Sequence, residues 1–218
     1  MAYEKLLNEI YAALSLKYLW KEYKPFFVKS ESPDWINATM NLGMEVSQAL
    51  LPDDGQMESF IEKYLGMPKE QLPPSAKERY GDRLHFYNGR FWAILPDESL
   101  PDECIKKAKY RFDKKLEKLN TNYCAQKYNS LYLFLHPTEA ENVDVTELFE
   151  YMKNKQSVMQ EKFHWVFLNC TKVIYVCNFM EDTMEEIVLP QNAETFLNTE
   201  AEYLRYSGEW NDGVSLDT

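Results

Sequence analysis

Two short extended segments lie close together near the start of the chain and read SPDWIN at residues 32–37 and NLGMEVS at residues 41–47. Side chains of a β-strand point alternately to its two faces, so the apolar residues from Leu42 to Val46 share one face of the second segment. Glu45 lies on the opposite face. The pattern predicts a strand that carries a candidate buried carboxylate.

Helical patterns occur before and after these segments. Their apolar residues recur at three- and four-residue steps, which is the period of an amphipathic helix. The pattern covers residues 3–23, the residues that follow Pro52, and residues 102–121 and 143–160.

Strand patterns alternate with the helical ones. The pair Asn88 and Gly89 stands between two aromatic-rich runs and predicts a hairpin with a type I′ turn. Apolar runs at 131–135, 163–168 and 173–177 predict buried strands. The alternation predicts the α/β class, with one mixed central sheet and helices on both of its faces.

The chain divides in composition near residue 178. We expect residues 1–178 to form the α/β core. Residues 179–218 contain ten acidic residues and one arginine, a net charge of −9. We expect this acidic C-terminal extension to pack on the core as a short helix and a tail.

Composition excludes several classes of protein. The chain has 218 residues, of which 45% are hydrophobic, and this is enough apolar surface to build a core and excludes wholesale disorder. The net charge of −11 opposes broad binding to polyanions, so any contact with nucleic acid is expected to be local. Charges are scattered through the first 25 residues, and no apolar run approaches the ~20 residues that cross a bilayer. We therefore expect a cytoplasmic protein without membrane contact.

One helical segment is strongly basic. Residues 104–120 carry a net charge of +5, which leaves −16 for the rest of the chain. Such a stripe can contact DNA phosphates beside an acidic site. Alternatively, it is a solvated helix face that is balanced by the acidic C-terminal extension.

Two carboxylates are the candidates for chemistry. Asp34 follows Pro33 at the start of a strand, and Glu45 comes eleven residues later. If the two strands pair, both carboxylates meet at one end of the sheet, where two carboxylates, a backbone carbonyl and waters suit Mg²⁺ or Mn²⁺. Such an ion stabilises the charge of a phosphodiester transition state. The alternative is a turn residue at Asp34 and an unpartnered, outward-facing Glu45.

The order of elements and this motif together resemble the PD-(D/E)XK nuclease superfamily, in particular a branch whose members read PD followed by G-(I/M)-E-V-(T/S). The resemblance implies a restriction-endonuclease-like fold. It also implies that Asp34 and Glu45 are metal ligands and that the carbonyl of Val46 is a third ligand. Glu9 or Glu22 on the first helix would add a further acidic group.

The sequence departs from the superfamily at one position. A lysine usually follows two residues after the glutamate, and here Ser47 takes its place. A serine hydroxyl cannot supply a positive charge. Either the lysine has moved to the basic helix, with Lys106, Lys107 or Lys109 as candidates, or the site is inactive.

Two functions from different classes follow from these observations. The first is a Mg²⁺-dependent DNA phosphodiesterase, or an inactive relative that keeps the fold, with Glu45, Ser47, Lys106 and Lys109 as its catalytic residues. The second is a non-catalytic acidic binding protein of the immunity or antitoxin kind. Its surface would sequester a basic protein partner by complementary charge.

Overall fold

The computed structural model describes residues 2–20, 26–50, 52–95, 101–121, 126–135 and 144–215. Its helices are α1 (Ala2–Leu19), α2 (Pro52–Tyr64), α3 (Pro74–Tyr80), α4 (Pro101–Thr121), α5 (Val145–Gln156) and α6 (Ala193–Ser207). Its strands are β1 (Phe26–Lys29), β2 (Trp35–Asn37), β3 (Leu42–Gln48), β4 (Leu84–Tyr87), β5 (Arg90–Ile94), β6 (Tyr128–Phe134), β7 (Trp165–Asn169), β8 (Val173–Asn178), β9 (Thr183–Val188) and β10 (Val214–Ser215).

Eight of these strands form one mixed sheet in the order β10-β1-β2-β3-β6-β7-β8-β9. The pairs β3–β6 and β6–β7 are parallel, and the other neighbours are antiparallel. Parallel neighbours need a crossover connection, and α4 and α5 lie in these two connections. The predicted α/β class with one mixed sheet is confirmed.

Helices cover both faces of the sheet. Neighbouring residues of β6 point to opposite faces of the sheet. Tyr132 packs in a cluster with α1 and α6, whereas Leu131 packs in a second cluster with α4 and α5. Glu45 pairs with Leu131 across the parallel β3–β6 ladder and therefore faces the α4 side. The strand thus directs its carboxylate toward the basic helix.

A small module lies between β3 and α4 in the chain. It comprises α2, α3 and the separate hairpin β4–β5, and it has its own buried cluster that includes Tyr80 and Phe91. The predicted hairpin is confirmed, with φ of 47° at Asn88 and 72° at Gly89. Helix α3 was not predicted from the sequence. Pro74 occupies the start of this helix, where proline is tolerated.

The acidic C-terminal segment is more regular than predicted. Strand β9 extends one edge of the sheet beside β8, and β10 pairs with β1 at the other edge. Helix α6 shares a buried cluster with α1. The strand pattern of β9 is absent from the sequence because nearly all of its residues are exposed, so no apolar alternation marks it.

None of the helices in the described part of the chain is both long enough and apolar enough to cross a membrane.

Candidate active site

Strands β2 and β3 pair beside the two predicted carboxylates. The strands are antiparallel, with Trp35 opposite Met44. Asp34 lies directly before β2, in the bend that follows β1, and Glu45 lies within β3. The Val46 N–H donates a hydrogen bond to Asp34 Oδ2 at 2.8 Å. The expected pairing of the two strands is therefore confirmed, and it fixes the position of Asp34.

A close approach between Pro33 and Gly43 supports this arrangement. A Cβ atom at Gly43 would lie 2.7 Å from Pro33 Cγ, so only glycine leaves room for the proline ring. The Val46 carbonyl is the third metal ligand that the resemblance implies. The carbonyl points to the same side of the strand as the Val46 N–H, toward Asp34. This geometry suits the predicted use of the carbonyl as a ligand.

Helix α1 supplies a third carboxylate, Glu9. The indole N–H of Trp35 donates a hydrogen bond to the backbone carbonyl of Glu9 at 2.9 Å and ties the helix to β2. Lys29 Nζ lies 2.7 Å from Glu9 Oε2 and 3.9 Å from Asp34 Oδ1. Lys5 Nζ lies 3.3 Å from Glu9 Oε1 and 3.6 Å from Asp34 Oδ1. Two lysines thus link Glu9 to Asp34. The other acidic candidate on this helix, Glu22, lies outside the described residues.

Helix α4 places two lysines on Glu45. Lys115 Nζ lies 2.6 Å from Glu45 Oε1, and Lys118 Nζ lies 2.9 Å from the same oxygen. Ser47 lies on the same face of β3 and is half-buried. The structure therefore places ammonium groups beside Glu45 from a helix, although the position after the glutamate that usually carries lysine holds serine.

The lysines on Glu45 are not the ones selected from the sequence, which is a correction. Lys109 pairs instead with Glu147 of α5 at 2.5 Å, Lys106 is exposed one turn earlier, and Lys107 is buried. The spacing of α4 contains the missed signal. Arg111, Lys115 and Lys118 are four and three residues apart and share the flank of the helix that meets β3, whereas Lys106 and Lys109 share the opposite flank.

We name these seven side chains the lysine–carboxylate cluster. It consists of two ion-paired groups: Glu9 and Asp34 with Lys5 and Lys29, and Glu45 with Lys115 and Lys118. Each carboxylate is almost completely buried. Buried carboxylates are costly unless they are paired, and here every one of them has a lysine partner.

The environment shifts the pKa of two groups in this cluster. Burial raises the pKa of Asp34 above its usual value, and the negative charge of Glu9 adds to this effect. The Val46 N–H, Lys29 and Lys5 oppose the shift but do not cancel it. Partial burial lowers the pKa of Lys5, yet Asp34 and Glu9 outweigh it and hold that pKa above its usual value. Glu45 also acts on Lys5, so one lysine is influenced by all three carboxylates.

One buried oxygen of the cluster could accept a cation. Among the described residues, Glu45 Oε2 has no hydrogen-bond partner, whereas Lys5 Nζ lies 3.3 Å from Glu9 Oε1. Unsatisfied buried carboxylate oxygens are costly, and hard divalent cations prefer oxygen ligands. Across the described ranges no three His, Cys, Asp or Glu side chains are close enough to share one ion. An ion here would therefore rely on Asp34, Glu45, the Val46 carbonyl and water, which is an all-oxygen set that suits Mg²⁺ or Mn²⁺.

The cluster therefore combines carboxylates from α1, β2 and β3 with ammonium groups from α1, β1 and α4. Such a site has ligands for a cation and donors for an anionic group within a few ångströms of each other. No protein-family model, curated protein or solved structure matches the chain.

Proposed function

We propose that this protein is a divalent-metal-dependent phosphodiesterase that cleaves DNA, with a restriction-endonuclease-like fold and a site of the PD-(D/E)XK kind. The observation that carries the proposal is the contact of Lys115 and Lys118 with Glu45, next to Asp34. The order α1, β2, β3, α4 and β6 supports it, because the resemblance implies a helix, a strand beside Asp34, a strand with Glu45, a lysine-rich helix and a buried strand.

Asp34, Glu45 and the Val46 carbonyl would hold Mg²⁺ or Mn²⁺. When bound, the ion supplies positive charge that stabilises the phosphodiester transition state. Asp34 is held in place by the Val46 N–H, so its second oxygen remains directed away from the strand. Glu9, on α1, shares the ion-pair partners Lys29 and Lys5 with Asp34.

Lys115 takes the role of the lysine that Ser47 does not supply. Its side chain is only 16% exposed and its ammonium group is 2.6 Å from Glu45. An ammonium group at this place donates hydrogen bonds to the attacking water or to a phosphate oxygen. Straight, flexible lysine side chains reach the same point from a helix as from a strand, which allows the position in the sequence to change.

DNA contact would be confined to the same flank of α4. Arg111 donates a hydrogen bond to the Leu50 carbonyl at 3.2 Å, directly after β3, and Lys118 lies two turns further along the helix. Positive charge on this flank attracts phosphates locally. The net charge of −11 on the chain limits binding elsewhere.

Plasmid nicking tests the proposal. We expect purified protein to nick supercoiled plasmid in Mn²⁺ or Mg²⁺, and Asp34→Asn and Glu45→Gln each to lower the rate by about 100-fold or more. Lys115→Met should cause a loss of similar size, because a methionine keeps the length of the side chain and removes its charge.

Lys109→Met is the matched control, since it removes one lysine charge from the same helix on the flank that faces Glu147. It should retain the wild-type rate. Equal nicking by the wild type and by both carboxylate variants would reveal a contaminating nuclease and contradict the proposal. Binding of Mn²⁺ without nicking would also contradict it and indicate an inactive relative.

The C-terminal segment favours a second candidate, capture of a basic protein. Helix α6 carries acidic residues together with the exposed aromatic side chains of Phe196, Tyr203 and Tyr206. Aromatic anchors beside charge are typical of binding surfaces.

A decalysine peptide is a defined probe for this candidate. Salt-dependent binding that weakens in Glu194→Gln and in Tyr203→Ser, but not in Glu45→Gln, would support it. Equal binding by all variants would exclude a specific role for α6.

A further inference from the structure

Strand β9 lies at an open edge of the large sheet. It pairs with β8 on one side, and in the described part of the chain no strand lies on its other side. Its six residues, Thr183–Val188, pair with β8 in one register without a bulge, and all of them except Ile187 are exposed. An open edge of this length offers a row of unpaired backbone groups to another chain.

The register shows which backbone groups of β9 face outward. The Leu189 N–H donates a hydrogen bond to the carbonyl of Lys172, which is the residue opposite it one step beyond the β8–β9 ladder. Hydrogen-bonded and non-hydrogen-bonded pairs alternate along antiparallel strands. Every second residue before Leu189 therefore directs its N–H and C=O toward β8. The N–H and C=O groups of Met184, Glu186 and Val188 point away from the sheet.

The side chains of β9 combine negative charge with apolar surface. Glu185 and Glu186 project to opposite faces of the strand, and both are exposed. Met184 and Val188 lie on the same face as Glu186 and are 36% and 66% exposed. On this face, partial burial and the charge of Glu186 raise the pKa of the neighbouring Tyr175 hydroxyl. A strand that pairs with β9 would therefore meet one glutamate on each face and apolar side chains on either side of Glu186.

The glutamates supply the negative charge that a partner meets. Asp182, in the turn before β9, already pairs with Lys153 at 2.6 Å. Lysine, proline and bulges commonly keep edge strands from pairing with other chains, and Thr183–Val188 contains none of them. The edge is therefore open to a partner whose charge is positive.

A second copy of β9 is a poor partner for this edge. Outward-facing residues must pair with outward-facing residues, so only two antiparallel registers between two copies would pair five of the six residues. One register places Glu185 opposite the same residue of the other copy, and the other register does so with Glu186. Like charges that lie directly opposite each other destabilise a strand pair.

We propose that β9 binds an extended, basic segment of a partner protein as an added antiparallel strand. Lysine or arginine at two neighbouring positions of that segment would lie opposite Glu186 and Glu185, one on each face. β-Branched apolar residues would lie opposite Val188 and Met184. The backbone hydrogen bonds supply affinity, and the alternating side chains supply specificity. The site shares no residue with the lysine–carboxylate cluster or with α6, so it stands whether or not the protein cleaves DNA.

Binding of a synthetic peptide, measured by fluorescence anisotropy, tests the charge requirement. The labelled peptide VTKKVT matches the pattern when it runs antiparallel to β9. We expect VTEEVT to bind at least about tenfold more weakly, because its carboxylates meet the two glutamates. Glu185→Lys/Glu186→Lys should reverse this preference. Glu70→Lys/Glu78→Lys, which makes the same change in net charge at exposed positions before and within α3, should keep the wild-type preference.

N-methylation of the peptide separates strand addition from charge attraction alone. The third and fifth residues of VTKKVT direct their N–H groups toward β9, and the second and fourth direct theirs away. Methyl groups on the third and fifth backbone nitrogens should weaken binding at least about tenfold, whereas methyl groups on the second and fourth should leave it nearly unchanged.

Amide exchange measured by NMR on the wild-type protein gives a test that needs no variant. The peptide should slow exchange at the outward amides of Met184, Glu186 and Val188. The alternate amides of β9, which already bond to β8, should change little.

Equal affinity for VTKKVT and VTEEVT, equal loss from the two methylation patterns, or unchanged exchange at the outward amides would overturn the proposal. Dimerisation of the wild type in sedimentation, if VTKKVT abolished it, would also overturn the proposal, because the edge would then bind a second copy of this chain.

Discussion

Asp34 combines a place in the proposed metal site with an electrostatic cost. Its pKa lies above the usual 3.8 because the carboxyl is buried and is near Glu9. An acid whose pKa is higher in the folded state binds protons more readily when folded, so the free energy of unfolding falls as the pH rises past the pKa of the unfolded chain. The ionised Asp34 therefore destabilises the fold at neutral pH.

Asp34→Asn should increase the free energy of unfolding at pH 7, because it removes the buried charge and keeps an oxygen that accepts the Val46 N–H. The gain should shrink as the pH falls from 7 into the acid range, because the wild-type carboxyl, whose pKa is raised by burial, also takes up its proton there. Urea unfolding across this pH range measures both effects. An asparagine variant that is less stable at pH 7 would show that the carboxylate is needed for its ion pairs.

Gly43 is the second residue whose chemistry the site depends on. Gly43→Ala should lower the free energy of unfolding by about 1–3 kcal/mol, because the new methyl group would meet the Pro33 ring. The displaced ring should also move Asp34 and slow nicking. The double variant Pro33→Ala/Gly43→Ala removes the ring, so the cost of the alanine at 43 should shrink there. If the two substitutions are additive, the close approach is not the cause.

At the scale of elements, helix α4 shows what periodicity can and cannot predict. Its apolar stripe, which includes Phe112 and Leu116, was predicted and is buried. The stripe has two basic flanks, and the sequence of the helix does not say which one meets β3. That choice depends on the direction of the crossover from β3 to β6, so Lys109 was selected although Lys115 lies on Glu45.

Strands were predictable where they are buried or alternate. The pattern around Glu45 predicted β3 and the position of its carboxylate, since one face of that strand packs in the core. Strand β9 was missed because it lies at an exposed edge, where pairing with β8 rather than burial of side chains specifies the strand. Neither local propensity nor alternation reports such pairing.

The module of α2, α3 and the hairpin has a separate buried cluster, which makes a prediction about local stability. Phe91 is fully buried there and its ring contacts those of Phe60 and Phe86. Phe91→Ala should destabilise the module by about 3–5 kcal/mol. Hydrogen exchange should accelerate within residues 56–95 and remain slow in β3 and β6.

The neighbouring Trp92 is a control because its side chain is 60% exposed. Trp92→Ala should change exchange in the module only slightly. If Phe91→Ala accelerates hydrogen exchange in the sheet as much as in the module, the module and the sheet unfold as one unit.

At the scale of the whole molecule, charge is segregated. Residues 104–120 carry +5 within a chain whose total is −11. If DNA contacts are limited to Arg111, Lys115 and Lys118, the logarithm of the affinity should fall with the logarithm of salt concentration with a slope of about −3 at most. Lys118→Met should reduce the slope by about 1. Fluorescence anisotropy with a labelled duplex at several salt concentrations measures this slope. A slope near −10 would require an extended basic surface elsewhere.

The central claim is that Asp34 and Glu45 bind a divalent ion beside the DNA backbone. An anomalous-scattering map from crystals of the protein with Mn²⁺ and a short DNA duplex, whose phosphorothioate linkages resist hydrolysis, tests it most directly. The account predicts a single peak about 2.0–2.6 Å from oxygens of Asp34, Glu45 and the Val46 carbonyl. A duplex bound along α4 with no peak at these carboxylates, and with Lys115 and Lys118 still on Glu45, would contradict it.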